Sequence, residues 1–438
     1  MSTEFLILFY WSVGVTLLAL LRLRIGIFFI SVHQATALRA FANIAQYGQP
    51  RSQAFLPTMI FGQEGLETSG VIFLISGMLT TLFVALPASI RHRPPHTQLT
   101  IPPVPTWGLW AIGIYLAIFT VSVKTIFTGS YATQGQILFD APSGGVQAIV
   151  VGTIIYELYR RVQARKLTPL RAFIAFLIIC FVTDYSKGST GFATGFLMTG
   201  IFLFCSTQTG IVKRWVPLIG ALSLIILMAL LIRTARHTLH QDGIGALTSA
   251  GSTLTSAESS RSENAEGIEE RSNGSQIAAH VLECVWLYDN GYDRQWRSFY
   301  NPILYTFQPA FLMKILNIER EEEAAWELGR YFVHGGGLFI FGEMYWNGGY
   351  LCVFLMTASL LALAWFVDTR RDVSFNALLF ACMFTPSLFQ GTQYGVTYPA
   401  RGFSNAVLAI LIFRLARWAS ASRVTHRVSK RVLSREAR

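Results

Sequence analysis

Stretches of about 17 to 25 mostly apolar residues recur along the chain, and no other feature restricts its fold as tightly. As helices rising about 1.5 Å per residue, they are long enough to cross a hydrocarbon core of about 30 Å. A helix also satisfies every backbone N–H and C=O within its own segment, where no water is present to do so. Ten spans are read near 4–21, 67–88, 107–124, 144–160, 168–184, 190–207, 215–233, 346–367, 374–390 and 402–418. Composition agrees, because 52% of the 438 residues are hydrophobic, only 13% are charged, and mean hydropathy is +0.45. Such values lie outside the range of soluble domains. The expectation is an all-α polytopic membrane protein of about ten transmembrane helices with one long, partly helical loop. The opening "MSTEF" is acidic and no small-residue cleavage site follows, so the first span is expected to stay as a helix.

Lys and Arg in the flanks set the orientation. "RHRPPH" (91–96), "YRRVQARK" (159–166), "VKR" (212–214), "DTRRD" (368–372) and the tail "RVTHRVSKRVLSREAR" (423–438) fall on one side if ten spans alternate. That side is assigned to the cytoplasm, which places both termini inside. The chain then divides into spans one to seven (1–233), a periplasmic loop (234–345), spans eight to ten (346–418) and a basic cytoplasmic tail (419–438). The net charge of +11 reflects topology and anionic lipid rather than nucleic acid. One flank disagrees: "RLR" (22–24), with Arg39 and Arg51, lands on the outer side; a re-entrant or interfacial helix within 25–60 is one way to account for it, and the segment is left without a placement.

The five cysteines are scattered without disulfide or zinc spacing. The loop opens on a Ser, Thr, Gly and Glu-rich stretch (248–267). Beyond it, Ile277, Val281, Val285 and Tyr288 recur at helical spacing, which predicts a helix with one apolar face against the membrane domain or the bilayer surface. "NPILYTFQPAFLMKILN" adds more apolar residues, and "EREEEAAWELGRY" reads as a solvated acidic helix. The loop is expected to fold onto the membrane domain.

Cations stand where the charge rule disfavours them. Lys124, Lys187, Arg233, Arg236 and Arg401 lie at outer helix ends and Arg330 lies late in the loop. Converging, they would bind one multiply charged anion; separately, they are long side chains reaching for headgroups. "RTARHTLH" puts Arg233, Arg236, His237 and His240 at i, i+3, i+4 and i+7, one face of a helix if the seventh span extends past the membrane. Guanidinium forks match phosphate oxygens, although a solvated polar helix end reads the same way. Asp184 and Lys187 form either a pair at the interface or part of that set, and Glu157 beside Arg160 and Arg161 reads as a structural ion pair. No D-x-D, Gly-x-Ser-x-Gly or phosphate-binding loop is present, so no metal is expected and hydrolases and ATP-driven machines lose ground.

An outer-face "SKG" between two spans, a long late loop and the element Gly342, Glu343, Tyr345, Asn347, Gly349 (G-E-x-Y-x-N-x-G) leading into a span are similar to the Wzy-type O-antigen and exopolysaccharide repeat-unit polymerases. Lys187 stands where members of that family often carry arginine. The resemblance implies a GT-C-like membrane glycosyltransferase of the bacterial inner membrane, with its active site facing the periplasm. It would join undecaprenyl-diphosphate-linked oligosaccharide repeat units, with no cofactor and no metal. Its partners would be lipid-linked oligosaccharides, membrane lipids, and a chain-length regulator and flippase of the same pathway. Cations would stabilise the departing diphosphate.

On this reading Lys124, Lys187, Arg233, Arg236, Arg330 and Arg401 hold diphosphate, while Tyr345, Trp346 and Asn347 hold sugar rings. Glu343 takes the proton of the attacking hydroxyl, with His237 and His334 as rivals. The glycines, Gly335 to Gly337 with Gly348 and Gly349, would let backbone approach the substrate closely. The alternative is an interfacial aromatic belt with Glu343 paired to an arginine. An O-antigen ligase shares the layout and the donor, and a polysaccharide-lipid transporter is the reading from another class.

Overall fold

The computed structural model describes residues 2–47, 62–87, 101–120, 144–183, 191–208, 210–242, 273–298, 324, 327–328, 338–372 and 374–436. Among them are helices and no strand. They are α1 (Ser2–Leu21), α2 (Ile25–Tyr47), α3 (Gly62–Ala85), α4 (Thr106–Thr120), α5 (Gly144–Gln163), α6 (Pro169–Thr183) and α7 (Gly191–Ser206). Then come α8 (Ile211–Asp242), α9 (Asn273–Asp289), α10 (Ile340–Trp346), α11 (Gly349–Arg370), α12 (Phe375–Tyr394) and α13 (Thr397–Glu436). Six of the described helices are long and apolar enough to cross a membrane: Ser2–Leu21, Ile25–Gln46, Gln63–Ala85, Ile211–Leu231, Gly349–Arg370 and Thr397–Trp418. Thr106–Leu116, Pro169–Phe181 and Ala193–Ser206 are shorter apolar helices.

Two helices organise the packing. α2 lies against α1, α3, α9, α11 and α12, and α12 lies against α2, α5, α7, α10, α11 and α13. One apolar core gathers Ile27, Phe41, Phe73, Val281, Phe341 and Met356 from α1–α3 and α9–α12. A second joins Phe29, Ile155, Phe176, Phe202, Leu379 and Ala409 from α2, α5–α8, α12 and α13. The edge of Phe29 on Phe389, with centroids 5.3 Å apart, locks the two central helices together.

The segment 25–60, left without a placement by the sequence, therefore holds a central helix over Ile25–Tyr47. Polar residues hid it. Gln34 donates to Phe73 O (3.1 Å) and Ser76 Oγ (2.9 Å), and His33 Nδ1 lies 2.8 Å from Phe29 O. A helix can carry such groups when protein rather than lipid surrounds them. Of its spanning window 78% is buried inside the protein, against 17% for that of α8.

The added helix also gathers the basic residues at one end of the bundle. Arg22 Nη1 donates to Val84 O (2.6 Å) at the end of α3, and Arg371 Nη2, just past α11, donates to Leu23 O (3.0 Å). Tyr159 OH, near the end of α5, donates to Asp372 Oδ1 (3.2 Å). Glu157 binds Arg160 (2.6 Å) and Arg161 (3.0 Å) there, the structural pair expected. "RLR" thus joins the "DTRRD" and "YRR" flanks, which removes the disagreement. Within the described bundle α1 begins at the end opposite to the one from which α13 runs on past its apolar window to Glu436, whereas the charge rule with ten spans puts both termini on one side. The expected boundary at 233 falls inside α8, and that at 345/346 falls inside α10.

Candidate functional site

At the end opposite the arginine cluster, the G-E-x-Y-x-N-x-G element forms α10 and its turn into α11. α9 crosses it, as its apolar spacing predicts, with Val281 and Val285 on the membrane domain. The crossing is close: a Cβ on Gly342 would stand 2.9 Å from Val281 Cα.

Every side chain of the element is engaged by protein. Tyr345 OH donates to Asp289 Oδ1 (3.0 Å), and Trp346 Nε1 to Tyr292 O (2.5 Å), with Arg294 over its ring at 5.1 Å. Asn347 is fully buried; its amide donates to Ser298 Oγ (3.0 Å) and Glu343 O (2.7 Å), and its Oδ1 accepts Ser298 N–H (3.0 Å). Trp296 packs on Gly348 and Tyr288 on Gly349, whose φ is +63°. Tyr345, Trp346 and Asn347, expected to hold sugar rings, have these protein partners in the structure. Their polar atoms tie the end of α10 to residues 289–298, and Gly348 and Gly349 make room for Trp296 and Tyr288, while Gly335 to Gly337 lie outside the described residues.

Glu343 reaches the other way. It is 1% exposed, and its Oε2 accepts the Val396 N–H at 2.7 Å. Val396 sits in the break between α12 and α13, beside Gly395 at φ +90°, where a Cβ would collide with the carboxylate. The carboxylate therefore caps the N-terminus of a 40-residue helix, where anions are favoured. Arg401, in the second turn of that helix, is half-buried with its guanidinium 5.8 Å from the Tyr398 ring.

Of the other expected residues, Arg233, Arg236 and His237, with His240, lie on one continuous helix, since α8 runs to Asp242, well past the apolar window that ends at Leu231. Their side chains are outside the described set, as are Lys124, Lys187, Arg330 and His334. α4 and α6 end shortly before Lys124 and Lys187.

One acid escaped the sequence reading. Glu283 on α9 is 2% exposed, and its Oε2 has no hydrogen-bond partner among the described residues. Burial alone pushes its carboxyl up to about 8, so it is neutral at pH 7. The Cys284 thiol, also buried, is raised well above its ordinary value by desolvation first, and then by the fields of Glu283 and Glu343. Glu283 lies off the 277–281–285 stripe and reads as solvent-facing from spacing. Leu328, Leu338 and Trp346, brought from remote sequence, cover the Cys284 and Leu287 side of α9 instead. The available signal was a single acid within "HVLECVWLY".

Comparison with protein-family models, with curated proteins and with solved structures finds no match for this chain.

Proposed function

We propose that the chain is a membrane glycosyltransferase that polymerises lipid-diphosphate-linked oligosaccharide repeat units, in the manner of the Wzy-type polymerases its G-E-x-Y-x-N-x-G element resembles. The observation that carries this reading is the Glu343–Val396 hydrogen bond. It ties the family-like element to the helix bearing Arg401, which supports a reading in which this carboxylate and this cation act at the same end of the bundle. The arginine-rich end faces the cytoplasm by the positive-inside rule, and this end faces the periplasm.

Arg401 and the α8 stripe of Arg233, Arg236 and His237 hold the donor diphosphate, with Lys124, Lys187 and Arg330 completing the set. Glu343 receives the acceptor hydroxyl's proton after exchanging the Val396 N–H for that hydroxyl, a shift for which the break at Gly395 supplies the hinge. Glu283, neutral at pH 7, offers an O–H to a substrate oxygen. The α10 aromatics and Asn347 keep this region rigid rather than touching sugar.

Gel analysis of surface polysaccharide in a deletion strain tests the reading. Single repeat units capped on core support polymerisation. Bare core with lipid-linked polymer would assign the chain as a ligase, and repeat units trapped in the cytoplasmic leaflet would assign it as a flippase.

A further inference from the structure

The arginine-rich end contains more donors than the described residues use. The α1–α2 turn, Arg22–Leu23–Arg24, is tight, with Leu23 at φ +52° and Arg24 N–H bonded to Ala19 O (2.8 Å). It aims both arginines at the end of α3: Arg22 Nη1 donates to Val84 O (2.6 Å) and Ala85 O (3.1 Å), and Arg24 Nη2 to Leu86 O (3.3 Å). From α11 come Asp368, whose Oδ2 accepts Gly26 N–H (3.3 Å), and just beyond it Arg371, whose Nη1 meets Asp368 Oδ1 at 3.2 Å. Arg24 is 5% exposed and Arg371 4%, yet Arg24 Nη1 and Arg371 Nε have no hydrogen-bond partner among the described residues.

Arg24 lies in the fields of Arg22, Arg371 and Asp368, and Asp372, bonded by Tyr159 OH, is the other carboxylate beside Arg371. Desolvated guanidinium groups with idle N–H edges are costly, and an anion carrying several oxygens satisfies both the charge and the edges. The cluster sits where four of the membrane-length helices α1, α2, α3 and α11 begin or end, the depth at which a bilayer presents its phosphates.

We propose that Arg24 and Arg371, with exposed Arg22 at the rim, form a binding site for the phosphate of an anionic phospholipid headgroup. The phosphate accepts from Arg24 Nη1 and Arg371 Nε, and the lipid pins the α1–α2 turn to the ends of α3 and α11. The site is independent of any catalytic role at the opposite end.

The test uses full-length protein in a neutral detergent, with thermal unfolding followed in 0.5 M NaCl. This salt screens surface attraction over distances beyond about 4 Å and leaves a buried contact in place. Phosphatidylglycerol, phosphatidylcholine and inorganic phosphate are the added probes. Phosphatidylglycerol is expected to raise the midpoint while equal concentrations of the other two do not. Arg24→Gln should need at least tenfold more phosphatidylglycerol for half the shift, and the tail variant Arg427→Gln should match wild type. Should Arg24→Gln not fold, Arg22→Gln, at the exposed rim, is expected to weaken the response in the same direction. A shift produced equally by inorganic phosphate or by phosphatidylcholine overturns the proposal. So does a phosphatidylglycerol response unchanged in every folded arginine variant of the cluster.

Discussion

Replacing Glu283 by glutamine should make the protein more stable at alkaline pH. The side chain is 2% exposed, and burial raises its carboxyl from 4.5 to about 8. Because the folded-state value lies above the unfolded one, the folded protein holds a proton that the unfolded chain has released between those limits. Stability therefore falls as pH rises from 4.5 to 8 and levels off above. At about 1.4 kcal/mol per pH unit, the carboxyl costs about 3 kcal/mol at pH 7 and about 5 kcal/mol at pH 8 and beyond. Glutamine keeps the shape and cannot ionise, although its buried amide loses about 1–3 kcal/mol of its own. The variant should be slightly less stable than wild type at pH 5 and about 2–4 kcal/mol more stable at pH 8.5. The assay is thermal unfolding of detergent-solubilised protein at half-unit steps from pH 5 to 9, with hydrogen exchange of the α9 amides to locate the effect. Parallel pH profiles for the two proteins would refute the reasoning, since they would mean that Glu283 is ionised and paired. A buried group that costs this much, with one carboxyl oxygen lacking a partner among the described residues, is the kind a protein retains for function.

The remaining expectations concern the candidate site and the topology. Glu343→Gln retains an amide oxygen for the Val396 N–H, so the fold should persist while polymerisation drops by about 10² to 10⁴. Near-normal chain growth by the reconstituted variant would remove Glu343 from the chemistry, and His237→Ala and His334→Ala in the same assay would then test the rivals. Arg236→Ala should lower turnover at least tenfold with expression intact, because a charge-assisted bond to phosphate contributes about 1.5–3 kcal/mol. Unchanged output from the alanine variants of Lys187, Arg233, Arg236 and Arg401 would reject the diphosphate site. All five native cysteines are buried, so a cysteine at Ser2 or Thr255 should react with an impermeant thiol reagent in intact cells, and one at Ser434 only after lysis. Labelling of Ser2→Cys and Ser434→Cys from the same side would restore the topology with an even number of crossings.

Apolar length and a shortage of charge determined the class by themselves, because a bilayer admits few backbone solutions and the requirement is local to each segment. The same locality made α9 legible through Val281 and Val285, and Glu157 with Arg160 and Arg161 through i, i+3 and i, i+4 spacing. α2 was hidden because hydropathy assumes lipid on every face, and only the packing of α1, α3, α11 and α12 shows that His33 and Gln34 meet protein instead. From that helix follow the grouping of Arg22 and Arg24 with Arg371 and the side on which the chain begins. Tertiary structure also decided which protein groups the G-E-x-Y-x-N-x-G element meets. Tyr345, Trp346 and Asn347 look like sugar ligands as residue types, but Asp289, Tyr292 and Ser298, about 50 residues earlier, take up their hydrogen bonds. Residue type sets which bonds a side chain can make, and only the remote partners that folding brings together set which ones it does.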